Sequence, residues 1–201
     1  MRNKIIPALT IASLLLLPLA AVADSYKIDP AHTTLTFSVR HMGINNVKGH
    51  FDEFEGTVLL DKGGIREAGG TIQVKSINTG VKERDDHLRT TDFFDAANYP
   101  VITFKTKKVE KVKGKTVLVA DFTIRGTTRE LRLPVKLNGP IKDMEGKTRI
   151  GIEAKADIIR QDFGINYAGN LESGAALVGE KVSFEINAEA IKETPSKAAG
   201  Q

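Results

Sequence analysis

Over much of the chain, apolar and polar residues alternate. Leu35-Thr36-Phe37-Ser38-Val39 does so, as do Ile72-Gln73-Val74 and the run Leu131 to Leu137. Ile150 to Ile158 and Val182 to Ile186 repeat the pattern. A period of two marks strands with one wet and one dry face. Turn chemistry punctuates the runs at Asp61-Lys62-Gly63-Gly64, Lys113-Gly114, Arg125-Gly126, Asn138-Gly139-Pro140 and Glu145-Gly146. Strands are expected over 26–28, 34–40, 47–60, 69–77, 101–112, 115–125, 129–138, 148–159 and 181–191. Gly49 and Gly56 make 47–60 either two strands or one bent strand. Short strands with frequent turns predict an all-β antiparallel sandwich or barrel.

The alternation stops between Thr79 and Tyr99. Val81 to Arg89 reads as a helix with Val81 and Leu88 on one face, Thr79 as its N-cap, and Asn98 and Pro100 beyond its end. One helical insertion, about 80–95, therefore interrupts an otherwise all-β domain spanning 24–192. The polar segment 193–201 is expected to be a flexible tail.

Residues 1–23 have the form of a secretory signal. Arg2 and Lys4 precede an apolar run to Val22 that closes on Ala21-Val22-Ala23. Cleavage is expected between Ala23 and Asp24. Pro7 and Pro18 argue against a spanning helix, so no integral membrane segment is expected after cleavage. The chain has no cysteine, which excludes a lipobox, disulfides and thiol chemistry. The formal charge of +4 falls to +2 once Arg2 and Lys4 are removed. A charge that small, with both signs interspersed, does not indicate nucleic acid.

The expected wet faces carry long charged residues such as Lys105, Lys107, Arg132, Lys136, Glu153 and Lys155. That excludes an outer-membrane barrel, whose outward residues are apolar. The dry faces are rich in phenylalanine, at positions 37, 51, 54, 93, 94, 104, 122, 163 and 184. Two readings stand side by side: a packed core, or a hollow apolar lumen, for which a barrel of about eight strands is just wide enough.

The order of short motifs then becomes informative. Tyr26-Lys27-Ile28-Asp29-Pro30-Ala31-His32, Gly49-His50-Phe51 and Phe54-Glu55-Gly56 are followed by Arg84-Asp85-Asp86-His87-Leu88-Arg89-Thr90-Thr91-Asp92-Phe93-Phe94-Asp95. Tyr99-Pro100-Val101, Ile124-Arg125-Gly126-Thr127-Thr128-Arg129 and Ile159-Arg160-Gln161-Asp162-Phe163-Gly164 complete the series. This series resembles the YceI-like family across nearly the whole expected mature chain. The resemblance implies an antiparallel, lipocalin-like β-barrel of about eight strands with a long apolar pocket. It implies a periplasmic binder or carrier of a long-chain isoprenoid lipid, such as a prenyl quinone or polyprenyl phosphate. No cofactor and no catalytic activity come with it.

The lumen is then expected to be lined by Phe37, Val39, Phe51, Ile72, Val74, Leu88, Phe93, Phe94, Phe104, Phe122 and Ile124. A polar mouth is expected from Arg40, His41, Arg84, Asp86, His87 and Arg89. The helical cluster has two readings, surface ion pairs or a lid that grips a head group through arginine forks. The histidines at 32, 41, 50 and 87 read as turn-fixing groups or as part of the mouth; no metal-ligand spacing supports a metal site. Arg160 and Asp162 read as locks on the last hairpin, and Asp157 as outward-facing if Ile158 points in. No nucleophile motif is present. Two other functions stay open: an enzyme acting on a lipid head group at the mouth, and a solid-core structural or stress-response module. An exposed strand edge would permit a homodimer, which no motif supports.

Overall fold

The computed structural model describes residues 23–62, 64–169 and 176–194. The expected signal, up to Val22, and the expected tail, from Pro195 onward, lie outside the described residues. The strands are β1 (Asp24–Ile28), β2 (Thr34–His41), β3 (Asn45–Phe51), β4 (Phe54–Asp61), β5 (Gly64–Gln73) and β6 (Ile77–Asn78). After the helix α1 (Lys82–Leu88) come β7 (Val101–Val112), β8 (Lys115–Ile124), β9 (Thr127–Lys142), β10 (Thr148–Ile159) and β11 (Val178–Lys192).

All eleven strands form one antiparallel sheet, closed by the pairing of β1 with β11. Eleven strands make eight staves because three staves are broken midway. β1 and β2 are parted by the 3-10 turn Pro30–His32, which Asp29 caps by accepting from the Ala31 amide. β3 and β4 part at Asp52-Glu53, and β5 and β6 at the 3-10 turn Val74–Ser76. Each half still meets its proper neighbour: β1 pairs with β4 and β2 with β3, while β4 pairs with β5 and β3 with β6. The expected eight-stranded antiparallel barrel is what forms, and 47–60 is one bent stave made of two strands.

The bends require close backbone approach, and glycine supplies it. Gly56 and Gly70 are cross-strand partners on β4 and β5. A Cβ on Gly70 would lie 2.5 Å from the Glu55 carbonyl oxygen, which cannot rotate away. Gly70→Ala is therefore expected to destabilise the barrel by about 2–3 kcal/mol, as overpacking does. A thermal melt superimposable on the parent's would refute this. Gly49 has a different reason: the Phe37 ring from the paired strand lies over its Cα, and a Cβ would meet that ring at 2.4 Å.

Barrel closure leaves two different ends. Tyr26, Leu60, Ile150 and Ala190 come from the starts of β1 and β10 and the ends of β4 and β11, and all are buried. They plug one end. The other end carries the β2–β3 turn, the β8–β9 turn, the 3-10 turn Arg160–Phe163 and the segment 79–100. That segment is the helical insertion. Its helix starts later than expected, with Val81 at the N-cap position and no side-chain cap. Thr79 has another role: its backbone N–H and hydroxyl both donate to the buried Asp85 carboxylate, at 2.8 and 2.6 Å. Among the described residues no helix is long and apolar enough to cross a membrane.

Candidate functional site

Above the plug the barrel is hollow. An apolar cavity of about 410 Å³ runs from Ile65, Leu133 and Val135 up to the segment 79–100, which covers it as a lid. Of the expected lumen residues, Phe37, Val39, Phe51, Ile72, Leu88, Phe93, Phe94, Phe104, Phe122 and Ile124 all line it. Val74 does not. It is buried in the 3-10 turn that breaks the third stave, where the period-two count from Ile72 no longer holds. Small inward residues, among them Ala68, Ala154 and Ala188, leave the space open.

Aromatic rings stack along the wall and roof. Phe104, Phe122 and Phe184 form one chain, with centroids 5.0 and 5.6 Å apart. Phe37, Phe51 and Phe94 form another, which joins the wall to the lid. His87 sits edge-on to Phe93 and to Tyr167, at 5.1 and 5.3 Å. These three rings close the gap between the lid and the segment after the Arg160 turn.

The expected polar mouth divides in two. His41, Arg84 and His87 border the cavity; Arg40 does so from an exposed position. Arg84 donates from Nε to the Thr79 hydroxyl (2.7 Å) and from Nη2 to the Thr79 carbonyl (3.0 Å). His87 pairs through Nε2 with Asp92 at 2.8 Å. Asp86 and Arg89 do not reach the cavity; they face an outer groove beside β6. Asp86 pairs with Lys82 and Arg89, and those cations hold its carboxyl below the usual range. Arg89 is a fastener: Nε donates to the Lys75 carbonyl and Nη2 to the Ile77 carbonyl, both at 2.8 Å. Helix geometry explains the split, since Arg84, His87 and Leu88 share one face while Lys82, Asp86 and Arg89 share another.

Two important arginines lay outside the expected site. Arg125 bolts the far side of the lid, donating to the carbonyls of Thr91 (2.8 Å) and Gly164 (2.6 Å). Arg160 is buried in the cavity wall and donates to the carbonyls of Ile165 (2.7 Å), Gly179 (3.0 Å) and Val178 (3.2 Å). That matches its expected role as a lock. Asp157 faces outward, bonded to Lys181 and Ser183, while Ile158 lines the cavity.

One polar cluster elsewhere resembles a metal site in its donors alone. Ligand atoms of Asp29, His32 and Glu189 lie within 4.8 Å of one another. Arg149 occupies this cluster, donating to Asp29 (2.7 Å) and Glu189 (3.3 Å). The Arg149 hydrogen bond, helped by His32, holds the Asp29 carboxyl down to about 2. The cluster is an ion-pair knot where the first stave bends.

A YceI-like domain model matches residues 26–190. The chain belongs to that family. It is 38% identical over 168 residues to a UPF0312 protein of Staphylococcus aureus, covering 82% of this chain and 96% of that one. A Campylobacter jejuni YceI protein of known structure is 30% identical, with a TM-score of 0.67 over 77% of this chain and 90% of its own. A Saccharophagus degradans domain described as polyisoprenoid binding shares the fold at 16% identity, with a TM-score of 0.61. Coverage there is 84% of this chain and 98% of the domain.

Proposed function

We propose that this YceI-like protein is an exported, periplasmic carrier that holds the tail of a long-chain isoprenoid lipid inside its barrel. The apolar cavity of about 410 Å³, plugged at one end and lidded at the other, carries this reading. Every buried methylene of a tail contributes about 0.8 kcal/mol, so a few isoprene units suffice for tight binding without many polar contacts. Specificity comes from tail length and from the few polar groups at the roof, Arg84, His87 and His41. The polyisoprenoid-binding description of the Saccharophagus degradans domain points the same way. The segment before Asp24 supports export, since a soluble barrel between two membranes can shield a tail from water.

Native mass spectrometry of gently purified protein is the test, with organic extraction of whatever is bound. A mass increment that extraction identifies as a prenyl quinone, polyprenol or polyprenyl phosphate is expected. Protein that carries only apo mass, and takes up no added polyprenol, would defeat the proposal.

A further inference from the structure

The lidded end carries apolar side chains that the cavity does not use. The β2–β3 hairpin reverses at Met42-Gly43, both in left-handed backbone conformation, within a loop of three residues between the paired His41 and Asn45. Ile44, next to the turn, is 77% exposed, and Met42 is exposed beside it. This hairpin is also part of the mouth, because Val39, His41 and Val47 on its inner face line the cavity.

Its charge is one-sided. From Thr33 to Phe51 there is no aspartate or glutamate, while Arg40 and Lys48 are both exposed. Arg40 donates from Nε to the Gly43 carbonyl at 3.0 Å, which holds its charge at the tip. Glu180, exposed on the neighbouring β11 next to Gly179, is the acid that the paired strand brings to this side. Exposed apolar residues beside exposed cations suit the surface of an anionic bilayer, where apolar groups enter the interface and cations meet lipid phosphates. Val81 and Tyr99, at the two ends of the lid, add exposed apolar surface at the same end of the barrel.

We infer that the β2–β3 tip is a docking finger that seats the barrel mouth on an anionic phospholipid bilayer. The plugged end is the rival, since Ile141 and Met144 are exposed there. Met144, however, stands in a turn of mixed charge, where Asp143 pairs with Arg149 and Glu145 with Lys147, so the cations there are already engaged by acids. Docking at that end would also present the plug to the membrane instead of the mouth.

The purpose of this docking rests on the carrier reading, but its measurement does not. Delipidated protein in its expected mature form, beginning at Asp24, is mixed with vesicles of phosphatidylcholine alone, or with phosphatidylglycerol added, and sedimented. Binding is expected only with phosphatidylglycerol and is expected to weaken with salt. Ile44→Asp is expected to lower the partition coefficient by about tenfold or more, the worth of one buried isoleucine. Met144→Asp is expected to leave it unchanged. The chain has no tryptophan, so Ile44→Trp adds a single indole whose emission is expected to shift to the blue on mixed vesicles. Unchanged binding by Ile44→Asp, equal loss with Met144→Asp, or an unshifted indole would each overturn the inference. Because no isoprenoid is present, failure here leaves the extraction result standing, and failure of extraction leaves docking measurable.

Discussion

Ala154→Phe should leave the barrel folded and weaken binding of a long-chain polyprenol by about fifty-fold, the worth of roughly three methylenes excluded from the lumen. Ala154 lies on β10 and lines the cavity between Val135 of β9 and Ile186 of β11, its cross-strand partners. Its methyl group meets empty space, so a phenyl ring there has somewhere to go. Replacing void with side chain is stabilising or neutral where the rotamer fits, so the melting temperature should hold or rise. The loss should depend on tail length. A short prenol that needs only the upper cavity should bind nearly as before, whereas a long one should be excluded from the depth it requires. Titration of parent and variant with prenols of graded length reads both effects. Equal affinity for the longest prenol would show that the tail does not run down the barrel, and would return the solid-core module to consideration.

The opposition of small and large inward residues behind that prediction was the hardest feature to read from the chain. The phenylalanines at 37, 51, 104 and 122 were legible as inward by alternation, and they line the cavity. Alternation assigns a face to each residue but says nothing of how far the opposite wall lies. The empty volume depends on the barrel's closure and on Ala68, Ala154, Ala188 and the glycines at 56, 69 and 70 all lining it. Val74 shows the limit of counting. A single 3-10 turn resets the parity, and Val74-Lys75-Ser76 carries no glycine or proline to announce one. Asp86 and Arg89 are the opposite case. Their spacing from Lys82 and from each other already marked an outer helical face with ion pairs at i,i+4 and i,i+3, so their separation from the mouth was readable.

Arg160 could be named as a lock from sequence, but its partners could not, because they are backbone carbonyls up to nineteen positions away. The structure gives the reason for the lock. The β2–β11 ladder jumps from His41–Val178 to Val39–Val182, so four steps on β11 oppose two on β2. Carbonyls in the displaced stretch lose their strand partners, and the Arg160 guanidinium takes those of Val178 and Gly179 together with that of Ile165. Arg160 is only 6% exposed, and burial pushes its pKa down from the ordinary arginine value. None of its hydrogen bonds goes to a carboxylate.

Arg160→Met keeps much of the volume and removes every donor. The bond to Ile165 is buried and those to Gly179 and Val178 are part-buried. A buried carbonyl left without a partner costs about 1–3 kcal/mol, so the three together should destabilise the barrel by about 4 kcal/mol. For a domain of this size that is a fall in melting temperature on the order of 10 °C. Arg160→Lys should recover less than half, since one ammonium on a flexible stem cannot span three carbonyls as the planar fork does. The same bonds anchor the segment that carries Tyr167 against His87 and Phe93. Loosening them should also speed exchange of a bound prenol, measurable by competition at a temperature where the variant is still folded. A variant that melts with the parent would mean that water or a rearranged β11 satisfies those carbonyls without the arginine. Faster exchange with unchanged melting would place Arg160 as a fastener of the roof rather than of the barrel wall.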